Sequence, residues 1–568
     1  MAAFITPILA HPTLTRCPKT SLLERGLRQL PRLSFAKLSP LHNHPRRYIG
    51  AIVGNKKKRQ TKHKPSPLLT LAVETSCDDT CVAIVEKFGN KARILFNRKI
   101  TADNREYNGV HPLVAVESHA TNLSMLIKES LKSLPLNIPK ATSPGEKRKR
   151  LTPRLPDFVS VTRGPGIANC LTIGLNTAKG LAVAWDVPLV AVHHMQAHAL
   201  TPRLLNALHG RPSSSPLSSQ SPPSIPRPAR AFDINTDPQN PQFPFLTLLV
   251  SGGHTQLVLS QSLTSHSILA DTPDIAVGDM LDKAARAVLP ESIKSSTSDV
   301  MFGAALEKFA FPDAATQDQY DYDSYTPPAK RENEIEPWTN EERGWSISAP
   351  LSGSQQMQFN FTGLGGKIRE HAATLAEDDL EGRRLLARAA MKLAFEHIAS
   401  RIIFVLSERK KIAIGEHYQH LRLDPNLTIY KHKMTEATSS KFTIDSLLTL
   451  VVSGGVACNR FLLHVLRKAL DTRGFANVSL QVPPPAYCTD NAAMIAWAGI
   501  EMYEQGWRSP LDITPARRWS LDPEKPPSKM RHDKGKPFVG ILDGGVYQNA
   551  NVKQSFDEWL AEKGLTVK

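Results

Sequence analysis

His194 and His198 stand four residues apart in the run His193-His-Met-Gln-Ala-His198, a spacing that puts two imidazoles on one face of a helix. Both rings could then reach one divalent cation. Zinc proteases share this spacing but carry Glu directly after the first His as general base. Here Met195 and Gln196 fill the next two positions, and neither takes a proton from a metal-bound water. Taken alone, the pair reads equally as a metal site or as two histidines at a helix start. Asp490, in Pro483-Pro-Pro-Ala-Tyr-Cys-Thr-Asp490-Asn491, would complete a two-histidine, one-carboxylate set with open coordination positions. Such a set suits Fe(II) or Zn(II) better than the all-oxygen shell of Mg(II). The competing reading of Asp490 is an N-cap for the helix that follows.

These side chains need a scaffold, and the sequence supplies strand-to-turn junctions. Val187-Pro-Leu-Val-Ala-Val192 predicts a buried strand feeding the histidine helix, so the pair falls at a strand's carboxyl end, where open α/β sheets place ligands. Leu69-Thr-Leu-Ala-Val73 runs into Glu-Thr-Ser, while Leu246-Thr-Leu-Leu-Val-Ser-Gly-Gly253 and Leu448-Thr-Leu-Val-Val-Ser-Gly-Gly455 differ at one position. Junctions of this kind leave backbone N–H groups facing a phosphate. Three of them suggest a duplicated α/β architecture whose halves face a shared nucleotide cleft. Helical stretches are predicted at Leu113–Leu134, Ile167–Trp185 after Arg163-Gly-Pro-Gly166, Arg383–Leu406 and Ala457–Leu470. Strand, turn, helix, strand is the order of an α/β fold.

The 568-residue chain carries a formal charge of +17, of which residues 1–66 hold +13, with Glu24 their only acid. The rest carries only +4, so any RNA surface on the body must be a local patch. Arg16, Arg25, Arg28, Arg32, Arg46 and Arg47 among Leu, Ser and Pro give the head the look of a mitochondrial presequence. A nuclear or RNA-binding tail around Lys56-Lys-Lys-Arg59 is the alternative. No apolar run reaches the roughly 18 residues of a membrane span. Cys17, Cys77, Cys81, Cys170, Cys458 and Cys488 form no CxxC pair, which fits a reducing compartment. Pro139–Pro156 (with Lys147-Arg-Lys-Arg150), Gly210–Pro244, Phe311–Pro350 and Lys410–Lys441 read as surface insertions whose composition builds no core.

Seven segments then appear in one order: Ala72-Val-Glu-Thr-Ser-Cys-Asp-Asp-Thr80, Arg163-Gly-Pro-Gly166, His193-His-Met-Gln-Ala-His198, Val250-Ser-Gly-Gly-His-Thr-Gln256, Phe361-Thr-Gly-Leu364, Ser453-Gly-Gly-Val-Ala-Cys-Asn459 and Tyr487-Cys-Thr-Asp490. From about Leu69 to Gly506 the chain thereby resembles the TsaD family of tRNA N6-adenosine threonylcarbamoyltransferases, once annotated in general as O-sialoglycoprotein endopeptidases. With its basic head it is similar to the mitochondrial branch, which implies the matrix as location.

The resemblance implies a two-lobed α/β fold of the actin, Hsp70 and sugar-kinase (ASKHA) kind, with a central cleft and several surface insertions. Its parts would be a presequence and linker (1–66), an N-terminal lobe (67–200), a Pro/Ser-rich insertion (201–244), a second lobe (245–508, with insertions near 311–350 and 410–441) and a C-terminal extension (509–568). It makes His194, His198 and Asp490 ligands of one divalent metal per subunit, Fe or Zn. It makes Val250, Ser251, Gly252, Gly253 and His254 a wall of the nucleotide site, Asp282 and Asn459 contacts of the adenosine part, and Gly303 and Glu307 the substrate-site wall that matches the family's Tyr-Pro-Gly-Gly-Pro segment. Around Gly303 only one glycine remains of the family's Tyr-Pro-Gly-Gly-Pro segment. The implied reaction passes threonylcarbamoyl from its adenylate to N6 of adenosine 37 in tRNAs reading codons that begin with A. No general base is identified, Glu74 and Asp78 are not assigned as catalytic, a homodimer is allowed, and no membrane insertion is expected. An ASKHA-type phosphotransferase or ATPase and an HxxxH metallopeptidase are the rival readings.

Overall fold

The computed structural model describes residues 67–107, 109–137, 151–209, 240–297, 301–312, 322, 324–413, 449–522 and 547–548. The basic head, Lys147–Arg150, and the bulk of the Pro/Ser-rich and 410–441 insertions lie outside the described residues.

The first sheet comprises β1 (Leu68–Glu74), β2 (Asp79–Phe88), β3 (Lys91–Thr101), β4 (Phe158–Gly164) and β5 (Leu189–His193), in the order β3-β2-β1-β4-β5. β1 runs antiparallel to β2, with Leu71 opposite Ile84, and parallel to β4, with Leu71 beside Val159. Parallel neighbours need crossovers, and helices α1 (Pro112–Ser130) and α2 (Ala168–Trp185) supply them. Side chains alternate across the strand. Leu69, Leu71 and Val73 pack with Leu123, Leu126 and Leu175 of those helices, while Ala72 turns to the opposite core.

The second sheet repeats the plan with β6 (Phe245–Val250), β7 (Thr255–Ser260), β8 (His266–Ala270), β9 (Thr449–Ser453) and β10 (Ser479–Gln481), ordered β8-β7-β6-β9-β10. The duplication read from the sequence is therefore present at the level of sheet order. The two near-identical Ser-Gly-Gly strands, β6 and β9, are parallel neighbours in one sheet, with Leu248 beside Val452. The counterpart of β6 in the first sheet is β1. Helices α4 (Val277–Val288), α5 (Gly303–Ala310), α6 (Thr362–Ala372), α7 (Leu380–Ala413) and α8 (Arg460–Thr472) cover one face of this sheet.

Two features depart from expectation. Helix α9 (Ala492–Glu504) is apolar nearly all round, as a fully buried helix must be, and it packs chiefly on β1, β2 and α3 (His194–His209). The span 245–508 thus does not stay with one sheet. The 311–350 segment, expected to build no core, holds a short helix (Arg331–Ile335) and a hairpin (Trp338–Asn340 with Trp345–Ile347). It places Tyr322, Tyr325, Trp345 and Ile347 in the second core. A strap, Ser509–Asp522, then crosses both sheets: Ser509 N–H donates to the Leu189 carbonyl, and Ile268 N–H donates to Asp522 Oδ2. Among the described residues no helix is long and apolar enough to cross a membrane.

Candidate metal and nucleotide site

β5 passes into α3 with no intervening loop, so His193 ends a strand and His194 begins a helix. This rigid junction aims the two imidazoles. The Nε2 atoms of His198 and His194 lie 3.2 Å and 3.4 Å from Asp490 Oδ1. One donor atom from each of the three residues falls within 4.8 Å of the others. Asp490 is not a helix cap. Asn491 is, its side chain accepting the Met494 N–H at 3.0 Å, which leaves the Asp490 carboxylate for the histidines.

The far nitrogen of each ring is held from a different sheet. His194 Nδ1 lies 3.3 Å from Glu74 Oε2 and 3.3 Å from Ser76 Oγ, both at the end of β1. His198 Nδ1 lies 3.4 Å from Ser453 Oγ, at the end of β9. Holding Nδ1 fixes the tautomer and leaves Nε2 for a cation. Glu74 is wholly buried, accepts the Ser76 N–H at 2.6 Å, and takes a further hydrogen bond from the Thr162 hydroxyl.

The electrostatics favour a positive charge at this point. Burial would lower the His194 pKa, but Asp490 and Glu74 outweigh it and push it up to about 10. Burial would raise Asp490, yet the neighbouring His194, with hydrogen bonds from both rings, holds its carboxyl well below the usual range. His198 is lowered, chiefly by burial. A site that draws a proton onto imidazole so strongly is one that a divalent ion would satisfy. The donor set, two imidazoles and one carboxylate, fits such an ion.

Met195, standing where a zinc protease has its Glu, packs instead with Leu249, Val258 and Trp519. His193 serves the fold: its Nε2 hydrogen-bonds the Trp519 carbonyl at 3.0 Å, and burial drives its pKa well down.

The Val250–His254 turn closes on itself. Ser251 N–H donates to the His254 carbonyl at 2.8 Å, and Ser251 Oγ accepts the Gly253 and His254 N–H groups. Those two N–H groups, expected to face a phosphate, are engaged within the turn. The turn packs against its near-copy, since a Cβ on Gly454 (φ 101°) would come within 2.3 Å of the Val250 carbonyl oxygen. Asp282, on α4, is largely buried; its Oδ1 accepts the Phe302 N–H at 2.7 Å and its Oδ2 accepts Arg286. Gly303 opens α5, and Glu307 on that helix accepts the Phe461 N–H at 2.9 Å and the Tyr322 hydroxyl at 2.8 Å. Burial raises the Glu307 pKa. Asn459 caps α8 by accepting the Leu462 N–H. Asp282 thus holds the residue before Gly303 and Glu307 holds Phe461, two residues after Asn459, and each of these polar side chains has a fold-stabilising duty. Asp78 accepts Asn104 Nδ2 across the first turn, and Asp78 and Glu74 prove to have separate partners.

Sequence reasoning did not reach Ser76, Ser453 or Glu74 as supports of the imidazoles. The three recurring strand ends were the available signal, because each support sits at one of them.

The chain matches the family model described as TsaD: tRNA N6-adenosine threonylcarbamoyltransferase over residues 93–219 and 229–497. It is 32% identical over 465 residues to the mitochondrial tRNA N6-adenosine threonylcarbamoyltransferase of Schizosaccharomyces pombe, covering 80% of this chain and 87% of that one. It is 29% identical over 461 residues to the tRNA N6-adenosine threonylcarbamoyltransferase of Brucella ovis (80% and 96%). The Bartonella bacilliformis protein of the same name is 29% identical over 459 residues (80% and 95%).

Proposed function

Because the chain belongs to the TsaD family of tRNA N6-adenosine threonylcarbamoyltransferases, we propose that it forms threonylcarbamoyladenosine at position 37 of mitochondrial tRNAs that read codons beginning with A, using threonylcarbamoyl-adenylate as donor. The chain is an acyltransferase of tRNA; its two α/β sheets of like order support the finer description as a two-lobed ASKHA fold. His194, His198 and Asp490 would hold one Fe(II) or Zn(II), which when bound supplies a Lewis acid and template for the oxygen-rich adenylate. The observation that carries this reading is the convergence of those three donors between the ends of β1 and β9.

In the reaction the N6 amine forms a bond to the carbamoyl carbon, the bond from that carbon to the phosphate oxygen breaks, and AMP leaves with the electron pair. One amine proton is released. The chain's own residues do the positioning. Glu74 and Ser453 orient the imidazoles from opposite sheets, and the Asp282–Asn459 wall would receive the adenosine. Burial of His194, His198 and Glu74 strengthens each polar contact made there. A phosphotransferase would coordinate Mg(II) through carboxylates and water, which this imidazole-rich set does not favour, and Met195 speaks against a peptidase. Location in the mitochondrial matrix is part of the same proposal, supported by the mitochondrial relative and the basic head.

Mass spectrometry of mitochondrial tRNA nucleosides after depletion of the protein tests the reading. Loss of threonylcarbamoyladenosine is expected, and an unchanged level would sink it.

A further inference from the structure

Helix α3 carries both imidazoles in its first two turns, and Asp490 stands two residues before the start of α9. The three donors therefore converge at only one offset of α3 along α9. Both helices run away from the site in the same direction. Arg203 lies nine residues after His194, the first residue of α3, and Glu501 lies nine residues after Ala492, the first residue of α9. At about 1.5 Å of rise per residue, each is roughly 14 Å from its helix start. There the two meet. Arg203 Nε donates to Glu501 Oε1 at 2.8 Å, with the side chains only 10% and 8% exposed.

The guanidinium is held on another side as well. Its Nη1 donates to the Pro241 carbonyl at 2.8 Å, and its central carbon lies 5.0 Å from the centre of the Phe243 ring. Nearly one turn further along α3, Asn206 Nδ2 donates to the Asn240 carbonyl at 2.6 Å. The segment just before β6 thus fixes the end of α3 that bears the ion pair.

The two helices also share an apolar core, in which Ala197, Leu200 and Leu204 lie with Ala493, Ala496 and Ile500. Apolar attraction is non-directional. It holds helices together more firmly than it fixes their offset. A buried ion pair has the opposite character. The cost of desolvating two charges offsets most of their attraction, so such a pair adds little over an apolar one, and its best-attested use is to fix register. A slip of one residue, about 1.5 Å along the axis, would stretch the Arg203–Glu501 bond beyond hydrogen-bond reach. It would carry Asp490 away from His194 and His198 by the same amount.

We propose that Arg203 and Glu501 are positioning residues of the metal centre, their ion pair pinning α3 to α9 at the offset that brings Asp490 to the two imidazoles. The proposal rests on the reading of His194, His198 and Asp490 as ligands. It accounts for a buried charge pair that stability alone does not favour.

The test separates offset from stability. Arg203→Met combined with Glu501→Leu replaces the pair by apolar side chains, a change that is often neutral for folding. Thermal unfolding should stay near wild type, whereas Zn(II) affinity in a chelator competition should fall about tenfold, the lower end for groups that orient ligands. The visible spectrum of the Co(II)-loaded protein should change in parallel, because the ligand geometry relaxes. Arg203→Lys keeps the charge but loses the rigid guanidinium fork, and its affinity should fall between the two. Wild-type affinity and spectrum in the folded double variant would overturn the proposal. If that variant did not fold, the single changes decide. Wild-type Zn(II) affinity in both Arg203→Lys and Glu501→Gln would overturn the pin, and a clear loss in either with native circular dichroism would uphold it. Binding equal in wild type and His194→Ala would overturn the ligand reading, and the proposal with it. Binding that needs His194 but ignores the ion pair would overturn the proposal alone.

Discussion

Glu74 Oε2 lies 3.3 Å from Nδ1 of His194, joining the last residue of the first strand to the first residue of α3. The pair is a carboxylate–histidine unit whose outer nitrogen faces Asp490. Supports of this kind typically change metal affinity by about 10–100-fold when removed. Glu74→Ala should weaken Zn(II) or Co(II) binding by that order in a chelator competition. Glu74→Gln, which keeps an acceptor, should lose less. Equal affinity in all three proteins would reduce Glu74 to a buried structural acid.

Removing a first-contact donor should have a larger effect. His194→Ala, His198→Ala and Asp490→Ala are each expected to abolish tRNA threonylcarbamoylation and bound metal while circular dichroism stays native. Full activity in a metal-free Asp490→Ala protein would overturn the ligand assignment.

A separate histidine makes stability depend on pH. His266, buried on β8 between Ser260 Oγ and the Leu263 carbonyl, is lowered to about 4, mainly by burial. Its folded pKa lies below the ordinary 6.5, so the folded state binds fewer protons between those values. The stabilisation is complete above about pH 6.5 and is lost as pH falls toward 4, on the order of 3 kcal/mol in all. Urea unfolding at pH 7 and pH 4.5 should show a smaller acid loss for His266→Gln than for the wild type. Parallel losses in the two proteins would contradict this.

The 311–350 segment is fastened by charge as well as by aromatics. Glu334, largely buried, pairs with Arg331 and Arg473 and accepts the Ser400 hydroxyl at 2.8 Å. Glu334→Ala leaves two half-buried guanidinium groups uncompensated and should cost about 3–5 kcal/mol. A thermal-unfolding loss under about 1 kcal/mol would place the network with ordinary surface pairs.

Residues 1–60 fused to a fluorescent reporter should carry it into mitochondria. Nuclear accumulation would favour the address around Lys56–Arg59 instead.

The sequence made the ligands legible because helical spacing fixes His194 against His198, and because Asp490 closes a distinctive phrase. It could not separate Asp490 from a cap, since Asn491 beside it has the same capping chemistry and only the backbone decides between them. Glu74 and Ser453 were visible as strand ends but not as supports, because their partners lie more than a hundred residues away in sequence. The 311–350 segment misled through its average polarity. Four aromatic or aliphatic anchors suffice to dock it, and composition does not register where they point. The strap lacks any periodicity, yet its hydrogen bonds reach both sheets.

The return of α9 to the first sheet bears on how the chain acquires its structure. Cys81 and Asp490 meet although they are 409 residues apart in sequence. One face of the earliest sheet therefore stays uncovered until almost all the chain is available, and its closure carries the entropy cost of a very long loop. High contact order of this kind slows folding and prolongs the exposure of apolar strands. A chain released short of Asp490 would present an open β-surface to chaperones and proteases, and would lack the carboxylate that completes the site.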